Sequence, residues 1–359
     1  MEGVEMVTLK EIAKECNVSA TTVSNILNGK PKVSEATKIK VLEVVRKRGY
    51  QPDYIAQGLR NRKTRMIGII AEDIAQFSTP VIVEGIMAYC EEKGYRTMMQ
   101  NLRLYARWHD SWFDNDRAYH SVLDPAMQEL MSIKVDGVVY VAGHARIIRC
   151  FPEGFPIPAV MAYAYAKSPR IPSVVIDDEK GSYDMVKYLI SMGHRKIGVI
   201  GGRADNIHTQ KRLLGYQRAL FEENLLFNPG LVCYGTWERQ SGYDIADSLV
   251  KEGVTAIFCL ADRMAGGVYD YFDEFGIKVG EDISVTGFDN QDIAEYFRPS
   301  LTTMDIPLQE IGHMAAKSLM DKVDIGETEQ ETEAEAEDEV IETIIPCSLV
   351  VRDSVRKLG

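Results

Sequence analysis

The chain has 359 residues, 45% hydrophobic and 26% charged, which is too long for one ordinary domain and enough for a large buried core, so a disordered or fibrous protein is excluded and two or three domains are expected. No apolar stretch approaches the roughly 18 residues of a membrane span, and the amino terminus opens on charged residues rather than an apolar signal core, so no membrane association and a cytoplasmic location are expected. The net charge of −12 argues against a polyanionic partner only on average: up to Arg65 there are 13 Lys and Arg against 7 Asp and Glu, a surplus of six that leaves −18 for the rest.

A basic end on an acidic body suits a protein that meets phosphate at one end only. Thr8-Leu9-Lys10-Glu11 has the form of a capping box, and Leu9, Ile12, Ala13 and Cys16 follow at helical spacing. Asn17 tolerates a left-handed turn and Ser19 can cap a second helix that carries Val23, Ile26 and Leu27 inward. A third helix is expected from Ser34-Glu35 through Ile39, Leu42 and Val45 to Arg48, ending at Gly49. This is the packing logic of a helix-turn-helix. The second helix presents Ala20, Thr21, Ser24, Asn25 and Asn28, short polar groups suited to base edges and phosphates, whereas a bundle used only for docking would have no need of them. Pro52 to Arg60 is a short segment with Ala56 and Leu59 on one face, too short for a stable isolated helix and expected to order only with a partner and DNA.

From Arg65 the pattern alternates between strand and helix. Strands are expected at Met66 to Ala71, Tyr95 to Gln100 and in Asp136-GVVYV, with helices from Glu84 to Lys93 and near Ala126 to Ser132. A second series begins at Ser173-VVID and continues through KIGVIGG, VTAIFCL and DISVTGF. The fold class is therefore α/β: an all-α headpiece followed by two doubly wound parallel-sheet lobes, with a ligand cleft between them. The expected divisions are a headpiece at 1–50, a hinge and linker at 51–64, and a body at 65–359 whose lobes take 65–172 with 305–325 and 173–304 with 340–359. Residues 101–123 hold Tyr105, Trp108, His109, Trp112, Phe113 and His120 in an expected long loop, read as lining the cleft for a larger carbohydrate, with packing on its own helix as the alternative. The acidic run 327–342 reads as a solvated insertion. Cys16, Cys90, Cys150, Cys233, Cys259 and Cys347 are far apart and read as reduced core residues, and no metal or cofactor is expected.

The run VTLKEIAKECNVSATTVSNILNGKPKVSEATKIKVLEVVRKRGYQPDYIAQGLRNRKT resembles the headpiece and hinge of LacI/GalR repressors, and the body resembles that family in GHRKIGVIGG, RLLGYQRAL, SGYDIA, ISVTGFDN and SLVVRDS. The resemblance implies a periplasmic-binding-protein-like type I body. It places the second helix in the major groove, with Ala20, Thr21 and Asn25 reading bases and Ser19, Thr22 and Ser24 near phosphates. Thr8, Asn28 and Tyr50 join the DNA-binding candidates, and Ala56 and Leu59 are implied at the minor groove, where Leu59 would wedge. Asn25 departs from the Arg usual there, which favours adenine over guanine; Asn17 departs from a common Gly. Ligand-contact positions fall on Arg212, Trp237 and Asp289, with Phe77 from the other lobe. The pocket is rewritten at Ala261-Asp262, where Asn often precedes Asp, and at Tyr163, where an acid or amide is common. His194 and Gly201-Gly202 read as turn and packing residues.

The resulting expectation is a homodimeric repressor of carbohydrate-utilisation genes that binds a double-stranded operator and is released by a small sugar-like effector. A corepressor-dependent regulator of the same family has the same parts with opposite sign. A solute-binding protein would need an export signal and no basic headpiece. An enzyme is not expected, because the chain has no nucleophile elbow, Walker loop, HExxH or paired zinc ligands, and Gly201-Gly202 lacks the full GxGxxG.

Overall fold

The computed structural model describes residues 7–27, 33–50, 63–149, 151, 154–325 and 341–359, and the chain divides into a unit from Met1 to Thr64 and a unit from Arg65 to Gly359. In the first, helices α1 (Leu9–Cys16), α2 (Ala20–Leu27) and α3 (Glu35–Arg48) pack around Ile12, Ala13, Cys16, Val23, Ile26 and Val41. The capping box is formed: the Thr8 hydroxyl accepts the Glu11 N–H at 3.4 Å, and the Glu11 carboxylate accepts the Thr8 N–H at 2.7 Å. Asn17 closes α1 in the left-handed region at φ 55° and ψ 48°. The third helix turns Val41 inward and leaves Ile39 and Leu42 exposed.

The second unit follows the alternating pattern. Its strands are β1 (Met66–Ala71), β2 (Arg96–Asn101), β3 (Gly137–Val141), β4 (Ile147–Ile148), β5 (Ala159–Ala162), β6 (Tyr165–Ala166), β7 (Ser173–Ile176), β8 (Ile197–Gly201), β9 (Val232–Tyr234), β10 (Ala256–Cys259), β11 (Ser284–Thr286), β12 (Thr303–Asp305), β13 (Glu342–Ile345) and β14 (Ser348–Val350). Its helices are α4 (Ser78–Glu92), α5 (Leu104–Trp108), α6 (Asp116–Ile133), α7 (Asp178–Ser191), α8 (Ile207–Glu222), α9 (Arg239–Lys251), α10 (Asp262–Phe275), α11 (Ile293–Tyr296) and α12 (Leu308–Ile325). One six-stranded parallel sheet runs in the order β13, β7, β5, β3, β1, β2, and a four-stranded parallel sheet in the order β11, β10, β8, β9. Helices α4 and α12 cross against one another beside the first sheet at glycines: a Cβ on Gly85 would lie 2.1 Å from the Gln309 carbonyl oxygen, and one on Gly312 would lie 2.0 Å from that of Ile82.

Two expectations are corrected. The strand at Ser173 does not open the second lobe. It lies in the first sheet between β5 and β13, so both β7 and β13 belong to the first lobe. Its SVVI run is buried along its whole length, and apolar content alone does not say which sheet covers a strand. Among the described residues the chain passes between lobes at three neighbouring places: after Ile176, between Asp305 and Leu308, and between Ile345 and Ser348. The aromatic stretch after Asn101 is not a long loop lining the cleft. It forms α5, a 3₁₀ turn (His109–Trp112) and the start of α6. Trp112 is buried with Tyr119 and Leu123, and Trp108 packs on the same cluster. The Arg146 guanidinium lies over the Trp112 and Phe113 rings at 4.9 and 5.0 Å. The amphipathic register of Leu104, Trp112, Tyr119 and Leu123 wins over the aromatic composition.

Candidate functional site

In the headpiece, Thr21 is exposed on α2, and Ala20, Thr22, Ser24 and Asn25 are half-buried beside it. The exposed Ser19 hydroxyl accepts the Thr22 N–H at 3.0 Å and meets the Thr22 hydroxyl at 2.8 Å, so both side chains start the helix. Thr8 caps α1, and Tyr50 packs on the headpiece core. Asn28, Ala56 and Leu59 lie outside the described residues.

In the body, Arg212 on α8 is buried, and its fork is in use. Its Nε donates to Asp178 Oδ1 at 2.7 Å, its Nη1 donates to the Leu260 carbonyl at 2.5 Å, and the same nitrogen stands 3.7 Å from Asp289 Oδ1. The guanidinium lies 3.6 Å from the centre of the Phe288 ring and 5.9 Å from that of Trp237. Asp178 also pairs with His208, whose Nδ1 is 2.8 Å from Oδ2. Burial works against the Asp178 charge, yet His208 and Arg212 together hold its carboxyl below the ordinary value. The Trp237 indole rests on Gly202, where a Cβ would lie 1.9 Å from it, so the second glycine of the pair exists to seat the tryptophan.

The cleft is closed on one side and open on the other. On the α8 side the Ala145 N–H donates to His208 Nε2 at 2.9 Å, and Lys211 Nζ donates to the Tyr165 hydroxyl at 2.6 Å. Tyr163, buried, lies with its ring 5.0 Å from that of His208, and His144 stacks on Trp237 at 6.4 Å. Desolvation pushes the His144 imidazole down to about 3, so it is neutral there. On the other side a cavity of about 930 Å³ is lined by Phe77 and Val81 of one lobe, Arg263 and Asp289 of the other, and Asp305 to Leu308 between them. Phe77 and Asp289 thus line the open space, whereas Arg212, Trp237 and Tyr163 do not. Nor does Asp262: it is buried, accepting the Thr303 hydroxyl at 2.5 Å and the Gln291 N–H at 2.8 Å, and it supports the Asp289 turn from beneath. His144, His208, Arg263 and Gln291 were not singled out by the sequence, because their pairing joins segments far apart along the chain.

Backbone strain gathers in the same place. Tyr163 (φ 62°), Trp237 (φ 69°), Asp289 (φ 112°) and Asn290 (φ 51°) all sit at positive φ without being glycine, the kind of cost that persists where surrounding structure dictates side-chain direction. Burial raises the Asp289 carboxyl to about 7 against the pull of Arg212. An aspartate of the unfolded chain titrates near 3.8, so the folded state binds the extra proton, and this group's contribution is lost as pH rises through 7. Asp289→Asn is therefore expected to raise the melting temperature relative to the parent more at pH 8 than at pH 5; an equal shift at both values, by thermal melting, contradicts the assignment.

The profile of bacterial regulatory proteins of the lacI family matches residues 8–53, and that of the periplasmic binding protein-like domain matches residues 186–355. Catabolite control protein A of Priestia megaterium is 31% identical over 317 residues, covering 87% of this chain and 91% of that protein. The HTH-type transcriptional repressor PurR of Vibrio campbellii is 30% identical over 358 residues, covering 99% and 100%. The solved lac repressor dimer bound to operator and the anti-inducer ONPF is similar with a TM-score of 0.77 at 23% identity, covering 98% of this chain and 100% of that one. A complex of the transcriptional regulator CelR with cellobiose gives 0.62 at 24%, covering 97% and 99%. No helix among the described residues is long and apolar enough to cross a membrane. A capped helix-turn-helix, two parallel-sheet lobes and relatives matching over almost the whole length lead to one conclusion: the chain is a member of the lacI family of bacterial regulatory proteins, a DNA-binding transcriptional regulator and not an enzyme.

Proposed function

We propose that this protein is a cytoplasmic, homodimeric repressor of carbohydrate-utilisation genes whose two headpieces hold half-sites of a near-palindromic operator until a sugar-like effector enters the cleft. The observation that carries this reading is the cavity between the lobes, which combines an aromatic wall at Phe77 with a buried carboxyl at Asp289, the pairing that a ring with hydroxyl groups calls for. Effector binding changes operator affinity only as far as the two lobe arrangements differ in their affinity for it. Titrating the operator complex with a carbohydrate panel in a mobility-shift assay tests this: release by a sugar supports it, tightening assigns a corepressor instead, and indifference to every sugar sinks it.

For the headpiece, Asn25 is the base-reading position that sets operator preference, and Leu59 wedges at the operator centre. Asn25→Arg is expected to move half-site preference from adenine toward guanine by about 1–3 kcal/mol at that base pair. A randomised-operator selection that returns the parental sequence contradicts it.

A further inference from the structure

The charged groups around the open cavity are unevenly matched. Asp289, Asp292, Asp305 and Glu310 line it, with Arg239 and Arg263 as its cationic side chains beside His313. Both arginines are neutralised by residues that do not line it: Arg239 is held bidentately by Asp270, and Arg263 Nη1 stands 3.2 Å from both oxygens of Glu238. No ion pair among the described residues engages Asp292, Asp305 or Glu310; Asp305 accepts only the Asn290 amide at 2.8 Å, and Asp289 accepts the Gln291 amide at 3.1 Å and stands at 3.7 Å from an Arg212 already bound to Asp178. No group of three or more His, Cys, Asp or Glu among the described residues could hold a metal ion, so an organic cation suits these carboxylates better.

We propose that the effector carries a positively charged nitrogen, as an amino sugar does, held in this cavity between Phe77 and the Asp289 and Asp305 carboxylates. The inference rests on the reading of the cavity as the effector site. Phe77 offers a ring whose face attracts a cation, and Asp289, poised between its two protonation states near neutrality, ionises fully when a cation arrives beside it.

The test is calorimetric titration of the full-length protein with charge-matched probes: glucosamine, N-acetylglucosamine, glucose and glucuronate, and the β-1,4-linked disaccharides of the first three. The free-amine probes are expected to bind at least about ten-fold more tightly than their neutral counterparts, the margin of a charge-assisted hydrogen bond. Their affinity should fall between about 50 and about 500 mM salt, as exposed charge pairs do. Asp305→Asn is expected to remove most of the preference; because the parent protein alone decides between charge classes, a variant that fails to fold leaves the test intact. A neutral or carboxylate probe that binds as tightly as the amine overturns the inference, and if that probe also releases operator DNA, the sugar-sensor reading survives alone. Absence of binding by every probe overturns both.

Discussion

Arg212→Met is expected to destabilise the body by about 3–5 kcal/mol, the cost of leaving a buried charge without its partner. Asp178 is buried and divides its oxygens between His208 and Arg212, so the loss leaves the carboxylate with the His208 imidazole but without its guanidinium, and removes the cation on the Phe288 ring. The stranded group recovers by taking up a proton, and the deficit should therefore shrink as pH falls through the carboxylate range. A second substitution, Asp178→Asn, removes the charge itself, so the double variant should be less destabilised than the sum of the two single ones. Thermal melting at fixed protein concentration measures all three; strict additivity would show that the two side chains do not act as a unit.

Gly312→Ala is expected to cost about 1–3 kcal/mol or more, an overpacking effect larger than its single methyl suggests. The methyl would meet the Ile82 carbonyl oxygen at 2.0 Å. Backbone rather than a side-chain tip stands in the way, so α4 and α12 must separate. Both helices border the cavity, through Phe77 and Val81 at one and Leu308 at the other, and effector affinity should fall along with stability. Gly85→Ala should behave in the same way, from the opposite face. A variant that melts like the parent would mean that the crossing relaxes without effort.

Much of this architecture was legible in the residues. Thr8 and Glu11 form the capping box they spell, and Asn17 takes the left-handed turn that its short side chain allows. The strands at Met66, Gly137, Ile197, Ala256 and Ser284 stand where their apolar runs put them. Two helices begin before the residues at which they were expected, Glu84 and Ala126. Pro80 sits in the first turn of α4, where a missing N–H costs nothing, and Pro125 lies inside α6, which begins at Asp116 under the Asn115 cap rather than after the proline. Each helix therefore starts earlier than periodicity suggested. Sheet membership was the harder matter: β7 is a strand from its composition, but its neighbours come from residues 159–162 and 342–345, and local sequence holds no record of them. At the cleft, the resemblance named Phe77, Arg212, Trp237 and Asp289, of which Phe77 and Asp289 line the cavity while the Arg212 fork is already occupied by Asp178 and Leu260. His208 shows this: its value comes from Asp178 and Ala145, thirty and sixty-three residues away.

The three adjacent chain crossings between the lobes have a mechanical consequence. A single tether would let one lobe swivel in any direction, but three side by side behave like a leaf spring, compliant about the line that joins them and stiff against shear and torsion. Within the body, movement of one lobe on the other should therefore concentrate on a hinge about that line, the displacement that whatever occupies the cavity can bias.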